Sequence, residues 1–116
     1  MKYEFLNEDY ALIMKIEGEI DHRYAIPIRR EADRKIVTYP GKPFIIDLTD
    51  VSFIDSSAIG VIIGRYKLVT SFGQKLIIVS SNPTVKKILD MSGIKKIINI
   101  YPTLSDAENT IAGKEN

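Results

Sequence analysis

An α/β fold is what this chain predicts: one domain built on a mixed, mostly parallel β-sheet packed with about four α-helices. Three observations predict it. Short apolar runs such as Phe44-Ile45-Ile46-Asp47-Leu48 and Lys75-Leu76-Ile77-Ile78-Val79 read as buried strands. Segments with helical spacing lie between them, and a helix joining two strands points to a parallel crossover. The 116 residues suffice for one compact domain and not for two.

The elements follow in order. Tyr3-Glu4-Phe5-Leu6 reads as a short strand, and Asn7-Glu8-Asp9 as a turn, because these side chains bond nearby backbone. Ala11 to Ile16 reads as a second strand with Leu12, Met14 and Ile16 on one face and Ala11, Ile13 and Lys15 on the other, ended by Gly18-Glu19-Ile20-Asp21. Asp21 caps the helix that follows, Pro27 is tolerable only in its early turns, and Ile28, Ala32, Lys35 and Ile36 keep a helical spacing. Tyr39-Pro40-Gly41-Lys42-Pro43 breaks the chain before the strand Phe44 to Leu48. A central helix is expected from about Ser57 to Phe72, with Ile59, Ile62, Ile63, Tyr66 and Val69 as its buried stripe and Gly73 as its stop. After the strand Lys75 to Val79, Asn82-Pro83 supplies a cap and a first-turn proline. Val85, Ile88 and Leu89 point inward, and Gly93 gives a left-handed exit. Ile97 to Ile100 reads as a last strand and Leu104 to Ile111, after Pro102-Thr103, as a last helix. The domain thus spans residues 1–111, and 112–116 is a polar, flexible tail.

Composition narrows the chemistry. Sixteen basic against fifteen acidic residues leave a net charge of +1, which gives no electrostatic case for nucleic acid or an anionic membrane surface. There is no cysteine, so disulfide scaffolds, thiolate metal sites and cysteine nucleophiles are out. No signal-peptide core follows Met1, and the apolar stretches are too short to span a bilayer. The expectation is a soluble cytoplasmic protein without cofactor or metal.

The densest functional signal is the run Val51-Ser52-Phe53-Ile54-Asp55-Ser56-Ser57-Ala58-Ile59-Gly60, which joins a strand to a helix. The local reading is that Asp55 or Ser56 caps that helix, its side-chain oxygen accepting from a first-turn N–H. A cap position also exposes the serine hydroxyl, so a phosphate there changes charge and shape together at the edge of a rigid element. Gly60 and Gly64 sit four apart inside the helix, where each costs about 1 kcal/mol against alanine. Either close packing on the sheet or close approach of a partner backbone is needed to offset them. Gly60 to Arg65 is not a phosphate loop, which needs four residues between its glycines and then Lys and Ser/Thr. Asp47, Asp50 and Asp55 read as turn formers before cation ligands, and Lys86-Lys87 and Lys95-Lys96 as solvated surface or helix-end complements. His22, the sole histidine, reads as a surface residue near a helix start.

Phe53 to Lys67, Phe-Ile-Asp-Ser-Ser-Ala-Ile-Gly-Val-Ile-Ile-Gly-Arg-Tyr-Lys, closely resembles the signature of the anti-sigma factor antagonists, bacterial STAS-domain proteins. Gly18-Glu19-Ile20-Asp21-His22, Ile46-Asp47-Leu48 and Leu89-Asp90-Met91-Ser92-Gly93-Ile94 agree, in order, over nearly the whole chain. The resemblance implies a STAS-like fold and a partner switch without catalysis. The unphosphorylated antagonist binds an ATP-dependent anti-sigma factor serine kinase and frees its sigma factor. The kinase phosphorylates the serine after the signature aspartate, here Ser56, and a PP2C-type phosphatase reverses this. By position, Asp21, Asp55, Ser56, Ser57, Gly60 and Gly64 fall on the partner surface, and the protein is expected to be a monomer or weak dimer. The chain departs from the family at Ala58, where many relatives carry glycine, and at Arg23-Tyr24 and Pro27, which bear on the choice of kinase.

Other readings rest on less. One is a STAS scaffold component of a stress-signalling complex. Another is a STAS domain regulating a membrane anion transporter, which calls for a transmembrane segment. A third, from a different class, is a small serine hydrolase using Ser56 and His22, for which no Gly-x-Ser-x-Gly elbow exists.

Overall fold

The computed structural model describes residues 1–113. Five strands, β1 (Lys2–Asn7), β2 (Leu12–Ile20), β3 (Phe44–Ile54), β4 (Leu76–Val79) and β5 (Asn99–Tyr101), form one sheet in the order β1-β2-β3-β4-β5. β1 is antiparallel to β2 and every later pairing is parallel, so the mixed, mostly parallel sheet is as expected. Helices α1 (His22–Thr38), α2 (Ser56–Ser71) and α3 (Pro83–Ser92) make the three crossovers, and α4 (Leu104–Ile111) follows β5.

The alternation in β2 sorts the core. Leu12, Met14, Ile16 and Ile20 join Ile46, Leu48 and Ile78 beneath the buried faces of α1, α2 and α3. Ala11 and Ile13 point the other way, with Ile45, Ile77 and Val79, against Ala107 of α4. Three crossover helices therefore cover one face of the sheet and α4 covers part of the other.

Several boundaries move. β2 does not end at Gly18. It runs on to Ile20, with Gly18 taking φ +96°, a conformation that other residues adopt only with strain. β3 extends beyond Leu48 to Ile54 because it continues to pair with β2, through two register shifts that leave more residues on β3 than on β2. β1 is one residue longer at each end than the expected Tyr3–Leu6, β4 begins at Leu76, and β5 lies at Asn99–Tyr101 after a 3₁₀ turn at Ile94–Lys96. The α3 signals hold: Asn82 accepts from the N–H groups of Thr84 and Val85, Pro83 opens the helix, and Gly93 closes it at φ +77°.

The α2 stripe is rotated from the expected one. Ala58, Val61, Ile62, Arg65 and Val69 are buried, whereas Ile59, Ile63 and Tyr66 are only partly so. Arg65 lies in the middle of that face, its Nε 2.7 Å from Asp33 Oδ1 of α1, an ion pair outside hydrogen-bonding alignment. Its Nη1 donates to the Val61 carbonyl at 3.3 Å. Burial lowers the guanidinium pKa, and Asp33 opposes that shift. Pro27 lies inside α1 and is exposed. Of the tail expected at 112–116, Ala112 and Gly113 are exposed and the remainder lies outside the described residues.

Candidate functional site

The site is built where two neighbouring parallel strands end together. Ile20 of β2 pairs with Ile54 of β3, and the Asp55 N–H donates to the Ile20 carbonyl at 3.2 Å. Each strand then turns into a helix through an aspartate. Asp21 caps α1, its Oδ1 accepting from the Arg23 N–H at 2.9 Å. Asp55 caps α2, its Oδ1 accepting from the N–H groups of Ser57 at 2.9 Å and Ala58 at 3.3 Å. The cap of α2 is thus Asp55 and not Ser56, which becomes the first helical residue. Both carboxylates complement the positive helix ends they cap.

Ser56 is exposed, with its backbone fixed by the strand pairing on one side and the capped turn on the other. Ser57 is partly buried and supports the helix start through its N–H. Gly60 is exposed and Gly64 partly so, and a Cβ built on either meets no heavy atom within 4 Å. Close packing on the sheet therefore does not account for these glycines. They leave open space along α2 next to Ser56, where another backbone has room to approach. Phe53, two residues before Asp55, is 42% exposed and adds an apolar surface that sequence patterning did not single out.

The first turn of α1 carries a feature the sequence reading passed over. Arg23 forks onto Asp21, Nε donating to both carboxylate oxygens at 3.0 and 3.1 Å and Nη2 to Oδ2 at 2.7 Å. The side-chain hydrogen bonds from Arg23, aided by its backbone N–H, hold the Asp21 carboxyl down at about 2. The spacing Asp-x-Arg at a helix start was the available signal. His22 is exposed at the first position of α1, and no hydrogen bond joins it to Ser56, so the two are not arranged as nucleophile and base. Asp47 accepts from the Thr49 N–H at 3.0 Å and from its Oγ1 at 2.5 Å, but both residues lie within β3, so neither Asp47 nor Asp50 makes the turn expected of it. Lys95 pairs with Asp90 at the end of α3. No helix among the described residues is long and apolar enough to cross a membrane.

Comparison with known proteins agrees with this fold. A family model described as STAS domain matches residues 3–107. The anti-sigma F factor antagonist of Paenibacillus polymyxa is 39% identical over 91 residues, 78% of each chain. The solved structure of the anti-sigma factor antagonist SpoIIAA in its unphosphorylated form matches with a TM-score of 0.82 at 24% identity, covering 99% of this chain and 100% of that one. The structure of the Bacillus cell fate determinant SpoIIAA in the phosphorylated form matches with a TM-score of 0.73 at 22% identity, covering 95% and 99%. At such identities these two structures speak to the fold.

Proposed function

The chain belongs to the STAS domain family, and on that ground we propose that it is an anti-sigma factor antagonist whose switch is the Ser56 hydroxyl. Unphosphorylated, it binds an anti-sigma factor serine kinase in the cytoplasm, and the sigma factor held there is released. The kinase transfers the γ-phosphoryl group of ATP to Ser56 Oγ. The hydroxyl proton departs, ADP remains, and the antagonist lets go. A PP2C-type phosphatase hydrolyses the ester and restores the binding form.

The observation that carries this reading is the exposed Ser56 at a rigid helix start, flanked by the open Gly60–Gly64 side of α2. A neutral hydroxyl there fits a close interface. A phosphate adds about −1.5 to −2 charges beside the Asp55 carboxylate, so a partner placed for the neutral form meets repulsion and bulk. Asp21, Asp55, Ser57, Gly60 and Gly64 line the same surface. That relatives named anti-sigma factor antagonists share this chain's sequence over most of its length supports the same reading.

The test is titration of the partner kinase with wild type, Ser56→Ala and Ser56→Asp. Wild type and Ser56→Ala are expected to bind alike, and Ser56→Asp to bind at least about tenfold more weakly, a loss of about 1.4 kcal/mol. Wild-type affinity for Ser56→Asp would end the repulsion model. Phosphate on Ser57 of Ser56→Ala would move the site.

A further inference from the structure

The Arg23 side chain is 68% exposed, yet its guanidinium is folded back onto Asp21 instead of extending into water. Ion pairs this exposed hold their partners weakly, so exchange for a better anion is easy. A phosphate is a better anion for a planar fork, offering more charge and more acceptor oxygens than a carboxylate. The hydrogen bond from Asp55 N–H to the Ile20 carbonyl ties the two helix starts together. Asp21 is the residue after Ile20 and Ser56 the residue after Asp55. Arg23 thus stands in the first turn next to the one that carries Ser56.

The surrounding charges leave little competition. The first turn of α2, Ser56-Ser57-Ala58-Ile59, holds no cation. Asp55 is anionic and already accepts from two N–H groups, and Glu19 and Asp21 are acidic as well. His22 is the only other basic side chain in the first turn of α1. Arg23 is the permanent cation nearest in sequence to either helix start.

We propose that Arg23 receives the phosphate of phosphorylated Ser56, leaving Asp21 for it. This rests on Ser56 as the modified residue. The consequence is a switch that acts at both helix starts. The phosphate is held in an ordered position on α2, while the Asp21 carboxylate on α1, masked in the unmodified protein, is uncovered. A partner that tolerates the neutral surface then meets negative charge in two places.

The experiment installs phosphoserine at position 56 during translation, so that no kinase is needed, and follows the phosphate by ³¹P NMR against pH. In the wild-type background the second phosphate pKa is expected at least about half a unit below that of Arg23→Gln. His22→Gln should preserve that difference, and Arg23→Lys should recover only part of it. Arg23→Gln keeps the backbone N–H that Asp21 accepts, so the helix start stays intact. Phosphorylation should also move the Arg23 Nε–H resonance and raise the Asp21 carboxyl pKa from about 2 toward the ordinary carboxylate range. Equal phosphate pKa values with and without Arg23, together with an unmoved Nε–H resonance, would overturn the proposal. That result leaves the phosphosite reading intact, which fails separately if the kinase places its phosphate elsewhere.

Discussion

The two helix starts at the end of the β2–β3 pair use the same device and put it to different ends. Asp21 and Asp55 each follow a strand, and each caps a helix with a carboxylate. At α1 the carboxylate is clasped by Arg23, the next residue is a histidine, and a proline follows within the helix. At α2 the carboxylate has only backbone donors, the next residue is a serine, and glycines follow where a side chain would have met nothing. One start is closed on itself; the other is left open. Capping makes both rigid, so rigidity does not distinguish them. The distinction lies in what is withheld: a counter-ion and side chains on the face beyond the cap.

That contrast is open to attack at several points. The largest effect is expected at Gly60. Gly60→Trp places a large side chain on the open side of α2 and should weaken kinase binding by about tenfold or more, with little loss of thermal stability, since Gly60 is exposed and a Cβ there meets no heavy atom within 4 Å. Retained affinity in a calorimetric titration would mean that no partner uses the open side. Next in size is Asp55→Ala, which removes the acceptor for two N–H groups and should cost about 1–2 kcal/mol in urea unfolding. Asp21→Ala, which frees a single N–H, should cost less, and the reverse order would break the parallel between the two starts. Gly60→Ala should then stabilise the protein by up to about 1 kcal/mol, the helix-propensity difference, readable as a rise in the melting midpoint. The smallest effect concerns pH. Because the folded Asp21 pKa lies near 2, below its value in the unfolded chain, its contribution is complete above about pH 4 and is lost as pH falls toward 2. Carboxyl-carbon NMR of native protein should place the midpoint near 2, and Arg23→Gln should move it upward.

What the sequence disclosed depended on how local the cause was. The α3 cap at Asn82, its opening Pro83 and its Gly93 exit are all set by neighbours in the chain, and all were legible. So was the α4 span, which begins after the Thr103 cap. β3 was read too short because Thr49, Asp50 and Ser52, beyond Leu48, look like loop. Asp50 is carried as strand by pairing with Glu17 of β2, and Thr49 and Ser52 lie at the two register shifts between paired residues, which is a tertiary fact. The α2 stripe was displaced because a charged residue sits on its buried face. Arg65 is accommodated there by Asp33, which belongs to another helix. At the candidate site, Ser56, the two aspartates and the two glycines were singled out from the sequence. The choice between a cap at Asp55 and one at Ser56 needed hydrogen bonds, and that a Cβ at Gly60 or Gly64 meets nothing is visible only in three dimensions.

The register shifts along β3 have a geometric consequence for the candidate site. At the foot of the pair Leu12 stands opposite Phe44. Were that alignment kept unbroken, Ile20 would stand opposite Ser52, and Asp21 would arrive level with Phe53. The surplus residues on β3 delay it, so that Ile20 meets Ile54 and the two aspartates come level. The sheet therefore works as a vernier: two small slips, before the strands end, decide which side chains are level at the rim. Deleting Ser52 would offset one rim against the other while every residue of the recognition motif remained in the chain.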